Sequence, residues 1–140
     1  MATFNKFNSF VEALAEKKHD LGADTLKVML TNAAPVATNA LKADLTELAA
    51  GNGYAAGGAT AAVTSSAQTG GLYKLVLSDP PAWTAAGGSI GPFQYAVLYN
   101  DSAPSKELIG WWNYGSAVTL AVGESFAVDF DATTGVLTIQ

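Results

Sequence analysis

Phe93-Gln-Tyr-Ala-Val-Leu-Tyr-Asn-Asp-Ser-Ala-Pro-Ser-Lys-Glu-Leu-Ile-Gly-Trp-Trp-Asn-Tyr114 is the stretch that decides the fold class. Two runs rich in aromatic and aliphatic side chains, Phe93–Tyr99 and Glu107–Tyr114, flank the turn-forming Asn100-Asp-Ser-Ala-Pro, the composition of two strands and a loop. Strand alternation puts Leu108, Trp112 and Tyr114 on one face and Ile109 and Trp111 on the other, so both faces are apolar. Leu72–Leu77 behaves alike, with Tyr73, Leu75 and Leu77 opposing Leu72 and Val76. Strands of this kind need cover on both sides.

Outward from this core the same grammar continues. Leu72–Leu77 stops at Ser78-Asp-Pro-Pro, Glu107–Tyr114 at Gly115-Ser, and Val118–Val122 at Gly123. Ser125–Phe130 turns through Asp131-Ala-Thr-Thr-Gly into Val136–Ile139, an expected hairpin with Phe126, Val128 and Phe130 inward, Asp129 outward and Gly135 supplying a positive φ. Short strands at close spacing point to a mainly β chain, an antiparallel β-sandwich or small barrel. No repeat of fixed period is present, which argues against a solenoid or propeller.

Upstream, Phe7, Phe10, Val11, Leu14 and Leu21 recur at helical spacing, predicting an amphipathic helix from Phe4 to about Asp20 that stops at Gly22. Asp24–Thr31 then alternates, with Leu26, Val28 and Leu30 on one face and Lys27, Met29 and Thr31 on the other. Ala33–Leu48 reads equally as one or two helical turns or as an ordered loop. Leu48–Tyr73 carries no charged residue, and its Gly51-Asn-Gly-Tyr-Ala-Ala-Gly-Gly has the composition of a linker. Tyr54, Val63 and the lack of a second domain to be linked favour an ordered loop and strand there. The organisation expected is one β-rich domain over residues 1–140, with a helix or arm at 1–21 and the sandwich at 22–140. At 14.4 kDa such a chain buries roughly two-thirds of its unfolded surface, enough for a core without staples.

Charge and composition remove several function classes. All 7 basic residues are lysines against 12 acids, and residues 31–140 hold three lysines against eight acids. Nucleic acid is therefore a poor partner, because base readout and phosphate clamping favour arginine and a basic patch. The absence of cysteine removes disulfides, thiolate metal sites and thiol nucleophiles. No apolar run reaches membrane-span length, and Met1–Phe10 lacks the basic start and apolar core of a secretory signal, so assembly in the cytoplasm without a membrane partner is expected.

Catalytic constellations fare no better. The single histidine, His19, lies in Glu16-Lys-Lys-His-Asp at the end of the expected helix and reads as a surface residue, not the base of a triad or a metal ligand. Asp129 and Asp131 pair by spacing alone and read as a solvent-facing carboxylate and a turn former. Gly51–Gly57 is one residue too long for a dinucleotide fingerprint and lacks the P-loop lysine. Asn100-Asp-Ser matches a glycosylation sequon, which matters only on a secretory route. No enzyme activity, cofactor or metal is expected. What remains is aromatic: Trp83, Phe93, Tyr95, Tyr99, Trp111, Trp112 and Tyr114. More apolar surface is expected than one molecule hides, the excess meeting another chain or stacking on sugar rings.

Six segments then resemble a family of small virion proteins of tailed bacteriophages: Leu21–Asn32 (LGADTLKVMLTN), Ala34–Ala40 (APVATNA), Asp44–Tyr54 (DLTELAAGNGY), Ile90–Asp101 (IGPFQYAVLYND), Leu108–Gly115 (LIGWWNYG) and Phe126–Asp131 (FAVDFD). The resemblance spans Leu21–Gln140 and implies a structural component, a decoration or cement protein on the capsid surface. Its implied partners are the major capsid protein and further copies of the chain. A tail or tail-fibre module that binds a receptor or glycan is the alternative. Candidate interface residues are Phe4, Phe7 and Phe10 on an N-terminal arm, with Trp83, Trp111 and Trp112 on the body.

Overall fold

The computed structural model describes residues 2–140. In chain order the elements are β1 (Asn5–Lys6), α1 (Ser9–Ala15), β2 (Leu26–Thr31), a 3-10 turn (Lys42–Asp44), β3 (Ala59–Ala61), β4 (Val63–Thr69), β5 (Leu72–Leu77), β6 (Trp83–Thr84), β7 (Ile90–Asn100), β8 (Leu108–Leu120), β9 (Ser125–Phe126) and β10 (Leu137–Ile139). The strands form a five-stranded sheet, β1-β8-β7-β2-β3, a three-stranded sheet, β10-β5-β4, and a pair, β6-β9. Every pairing is antiparallel. The chain is mainly β, in a sandwich-like arrangement with one short helix near the N-terminus.

The apolar alternation of β2 and β7 dictates the layering. Leu26, Val28, Leu30, Phe93, Ala96 and Leu98 point to one face and pack with Leu75 and Leu77 of β5, Leu137 of β10 and Trp83 of β6. Met29, Val97, Tyr99 and Leu108 point to the other and pack with Phe7, Leu45 and Trp111. The second face is thus covered by the N-terminal strand region and the long loop after β2. It is not covered by a long helix.

Three expected elements are corrected here. The helix is only Ser9–Ala15, because Asn5 and Lys6 are pulled into the sheet opposite Trp111 and Gly110, and the chain reverses at Lys17 with φ 64°. Glu107–Tyr114 and Val118–Val122 are not separate strands: β8 runs on to Leu120, and residues 114–117 bulge out around Gly115, whose φ is 103°. Ser125–Phe130 and Val136–Ile139 do not form a hairpin. Phe126 pairs with Trp83 of β6, and Leu137 pairs with Leu75 of β5. Asp79 Oδ1 accepts the Phe130 N–H at 2.7 Å, which draws this segment away from β10. Phe126, Val128 and Phe130 still turn toward the core, and Gly135 has the positive φ expected of it.

A fourth correction concerns which face each tryptophan takes. Tyr99 lies opposite Leu108 and Leu98 opposite Gly110, so Ile109 is an inserted residue and the alternation inverts across it. Leu108 therefore shares a face with Trp111, and Ile109 with Trp112. The bulge leaves both faces of β8 apolar and changes only which residues share each core.

The uncharged stretch is ordered, as its aromatic residues imply, and Glu47 is its anchor. Its Oε1 accepts the Tyr54 hydroxyl at 2.9 Å and the Gly57 N–H at 2.6 Å, while its Oε2 pairs with Lys42 at 2.7 Å. Tyr54 in turn accepts the Leu30 N–H at 3.0 Å, which closes the edge of β2 beyond the end of β3. Burial of the Tyr54 hydroxyl pushes its pKa well above the ordinary phenol value. Gly58 runs so close to β2 that a Cβ there would overlap the Val28 carbonyl, at a φ of 79°. Residues 33–48 resolve as an ordered loop with the single 3-10 turn.

The accessible surface is 6996 Å², close to the roughly 6,800 Å² that scaling gives a compact chain of this mass. The expected surplus of exposed apolar side chains is absent among the described residues. The large exposed ones are Val11, Val36, Leu72, Tyr114, Val122 and Ile139, on separate elements and loops, because loop and sheet layers cover both faces of the central sheet.

Two outcomes follow for unfolding by urea. Gly58→Ala is expected to lose about 2–4 kcal/mol through clash and backbone strain. Glu47→Gln is expected to lose about 1–3 kcal/mol by breaking a charge-assisted network. Unchanged midpoints in either variant contradict the packing described.

An aromatic cleft as candidate functional site

The bulged part of β8, the face of β7 and the segment 126–136 enclose a half-open cavity of about 340 Å³. Its walls are Phe4, Phe93, Tyr95, Trp112, Tyr114, Phe126, Phe130 and Val136, and its rim carries Gln94, Asp129 and Asp131. The rings support one another edge to face and at tilted angles. Phe4 meets Trp112 at 5.3 Å between centroids and Trp112 meets Phe130 at 5.4 Å. Phe126 meets Phe93 at 4.9 Å and Tyr114 at 5.6 Å. Such ring pairs hold each other in position beyond what burial alone contributes.

Local sequence explains the shape. Gly110 leaves room for the Phe4 ring, which occupies the place of a Cβ. The outward loop at Tyr114–Ala117, fixed by Asn113 Oδ1 accepting the Gly115 N–H at 2.8 Å, lifts Tyr114 until 60% of it is exposed. Gln94 donates to Asn113 across the strands at 3.0 Å. On the other rim Asp131 Oδ1 accepts the N–H groups of Thr133 at 2.7 Å and Thr134 at 3.1 Å. These bonds hold the Asp131 carboxyl below the usual range. Asp131 is thus a turn former, as its spacing suggested, and it keeps the cleft wall in shape.

The six expected interface residues separate. Phe4 and Trp112 are half-buried in the cleft wall. Trp111 lies half-buried on the opposite face against Phe7, with ring centroids 4.5 Å apart. Phe7, Phe10 and Trp83 are corrected: they are 0%, 3% and 4% exposed, held in the chain's own cores, and offer no surface to a neighbour. Both rings of the expected arm, Phe7 and Phe10, fill this chain's own interior. Sequence reasoning missed Phe130, Phe126 and Tyr114 as a group. The alternation of Phe126, Val128 and Phe130 was visible, but the pairing that brings them beside Trp112 was not.

His19 is also corrected. It is 5% exposed, not a surface residue, and its Nδ1 lies 3.0 Å from the Asn100 side-chain nitrogen. Asn100 Oδ1 accepts the N–H groups of Ser102 and Ala103, and its amide also donates to Asp24 Oδ2 at 2.6 Å. Since Asn100 donates toward Nδ1, the neutral ring carries its proton on Nε2. Burial lowers the His19 pKa, with Glu107 and Asp24 opposing. The cluster ties the helix end, the start of β2 and the β7–β8 turn together, and its role is structural.

Comparison against family models, curated proteins and solved structures finds no match to this chain. No helix among the described residues is long and apolar enough to cross a membrane.

The His19 geometry sets the sign of a pH dependence. The folded state resists a proton that the unfolded state takes up near pH 6.5, the ordinary value for an imidazole, so stability is full above that pH and falls below it. The slope contributed by one such group is at most about 1.4 kcal/mol per pH unit. Chemical denaturation from pH 7.5 to 5 is expected to show this loss in the parent and a flatter profile in His19→Gln. Equal slopes in the two proteins contradict the assignment.

Proposed function

We propose that the chain is a virion structural protein of a tailed bacteriophage, a capsid decoration protein that binds its neighbours through the aromatic cleft. The observation that carries the reading is the cleft itself: a half-open cavity of about 340 Å³ walled by aromatic rings, with Tyr114 held out at its mouth. A concave aromatic surface with a few polar groups at its edge is the kind of surface that anchors a partner's side chain. The resemblance of the six segments supplies the setting, and four of them, Leu21–Asn32, Ile90–Asp101, Leu108–Gly115 and Phe126–Asp131, contribute residues to the lining of this cleft. Each contact on a particle is small, and repetition over many copies makes it sufficient.

The glycan-binding alternative draws support from Tyr114 and Trp112 at the same mouth. It loses the tryptophan pair, since Trp111 and Trp112 occupy opposite faces.

Binding to purified phage heads, followed by co-sedimentation, tests the proposal. Tyr114→Ala and Asp129→Lys, both at exposed positions, are expected to reduce occupancy at least about tenfold, the scale of an interface hot spot. Thr38→Lys, on a distant exposed loop, is expected to bind as the parent does. Undiminished binding by both cleft variants contradicts the proposal, and specific sugar binding lost in Tyr114→Ala selects the alternative.

A further inference from the structure

The charge-free stretch from Leu48 to Tyr73 plays no part in the cleft, and its second half forms β4. β4 is an edge strand: it pairs with β5 on one side only, and no backbone hydrogen bond from another element reaches residues 64–69. Its residues Thr64–Thr69 are all exposed. An open edge is normally blunted by lysine, proline or a bulge that twists it away. β4 carries no charge and no proline, and its one bulge lies at its start, between Val63 and Ser65. The remaining edge, Ser65 to Thr69, is regular and runs into a tight turn at Gly70 and Gly71, both with positive φ.

We infer that this edge pairs with the same edge of a second copy of the chain, β4 against β4, joining two three-stranded sheets into one of six. Charge argues for a second copy as the occupant. The chain carries a net charge of −5, so two copies repel over most of their surface. β4 itself brings no charged side chain to a contact between copies. The sequence is also compatible with two-fold antiparallel pairing. A register centred on Ala67 sets Ala67 opposite the second copy's Ala67, Ser66 opposite its Gln68 and Ser65 opposite its Thr69, neutral pairs of small or flexible polar side chains. Backbone hydrogen bonds supply the attraction, as in other cases of strand addition.

Sedimentation velocity on the full chain over a range of concentrations tests this. The parent is expected to pass from monomer to dimer as concentration rises, and the more readily as added salt screens the repulsion between copies. Ser65→Lys and Ala67→Lys place ammonium groups on exposed positions of the edge and are expected to weaken dimerisation at least about tenfold, while Thr38→Lys does not. Amide exchange at residues 64–69 is expected to slow with concentration in the parent alone. A parent that stays monomeric at millimolar concentration overturns the inference, as does a dimer indifferent to both edge substitutions. A monomer whose Ala67→Lys variant loses binding to phage heads also overturns it and assigns the edge to a different protein. The cleft variants leave dimerisation intact if both readings hold, so either can fail alone.

Discussion

The structure depends on burying both faces of β2 and β7. A strand apolar on one side is satisfied by a single packing partner, but Leu26, Val28 and Leu30 face away from Met29, and Phe93, Ala96 and Leu98 face away from Val97 and Tyr99. Two covers are therefore obligatory. The three-stranded sheet and the β6–β9 pair supply one. The region around Phe7 and the loop that carries Leu45 supply the other. Glu47, Tyr54 and the glycines beside them clamp that loop onto the edge of β2.

The cleft is a by-product of the same requirement. β8 serves both cores by alternation, which the bulge at Ile109 and the wider bulge after Asn113 interrupt. The first groups Leu108 with Trp111 in one core and Ile109 with Trp112 in the other. The second lifts Tyr114 away from the sheet, leaving the space that Phe126, Phe130 and Phe4 surround without filling. Mutual ring contacts keep that space open and its walls rigid, a useful property in a surface that recognises a partner.

Much of this was legible in the sequence where side-chain periodicity is local. The strands Leu72–Leu77 and Phe93–Tyr99, the alternation at Leu26–Thr31, the turn made by Asp131 and the ordered Gly-rich loop all follow from spacing and turn chemistry. What could not be read depends on long-range pairing. Asn5 and Lys6 are extended because Trp111 and Gly110 recruit them into the sheet, which cuts short a helix that the spacing of Phe7, Phe10, Val11 and Leu14 predicts from Phe4 onward. Val136–Ile139 joins β5 and not its sequence neighbour. The bulge at Ile109 leaves no mark in composition, yet it reverses the face of every residue beyond it. His19 looked solvated because its neighbours Lys17, Lys18 and Asp20 are exposed. Its burial comes from Asn100, eighty-one positions away.

The site was legible only as a surplus of aromatic residues. That surplus is largely absorbed by the chain itself, and among the described residues Tyr114 is the one aromatic side chain that stays largely exposed. The measurement that tests the proposed role most directly is an electron-microscopy reconstruction of purified tailed-phage particles to which the chain has been added. The expected density shows repeated copies seated with Tyr114 and the cleft against a neighbouring subunit's side chain. Copies bound with the cleft open to solvent, or particles whose shell takes up no copy of the chain, contradict it.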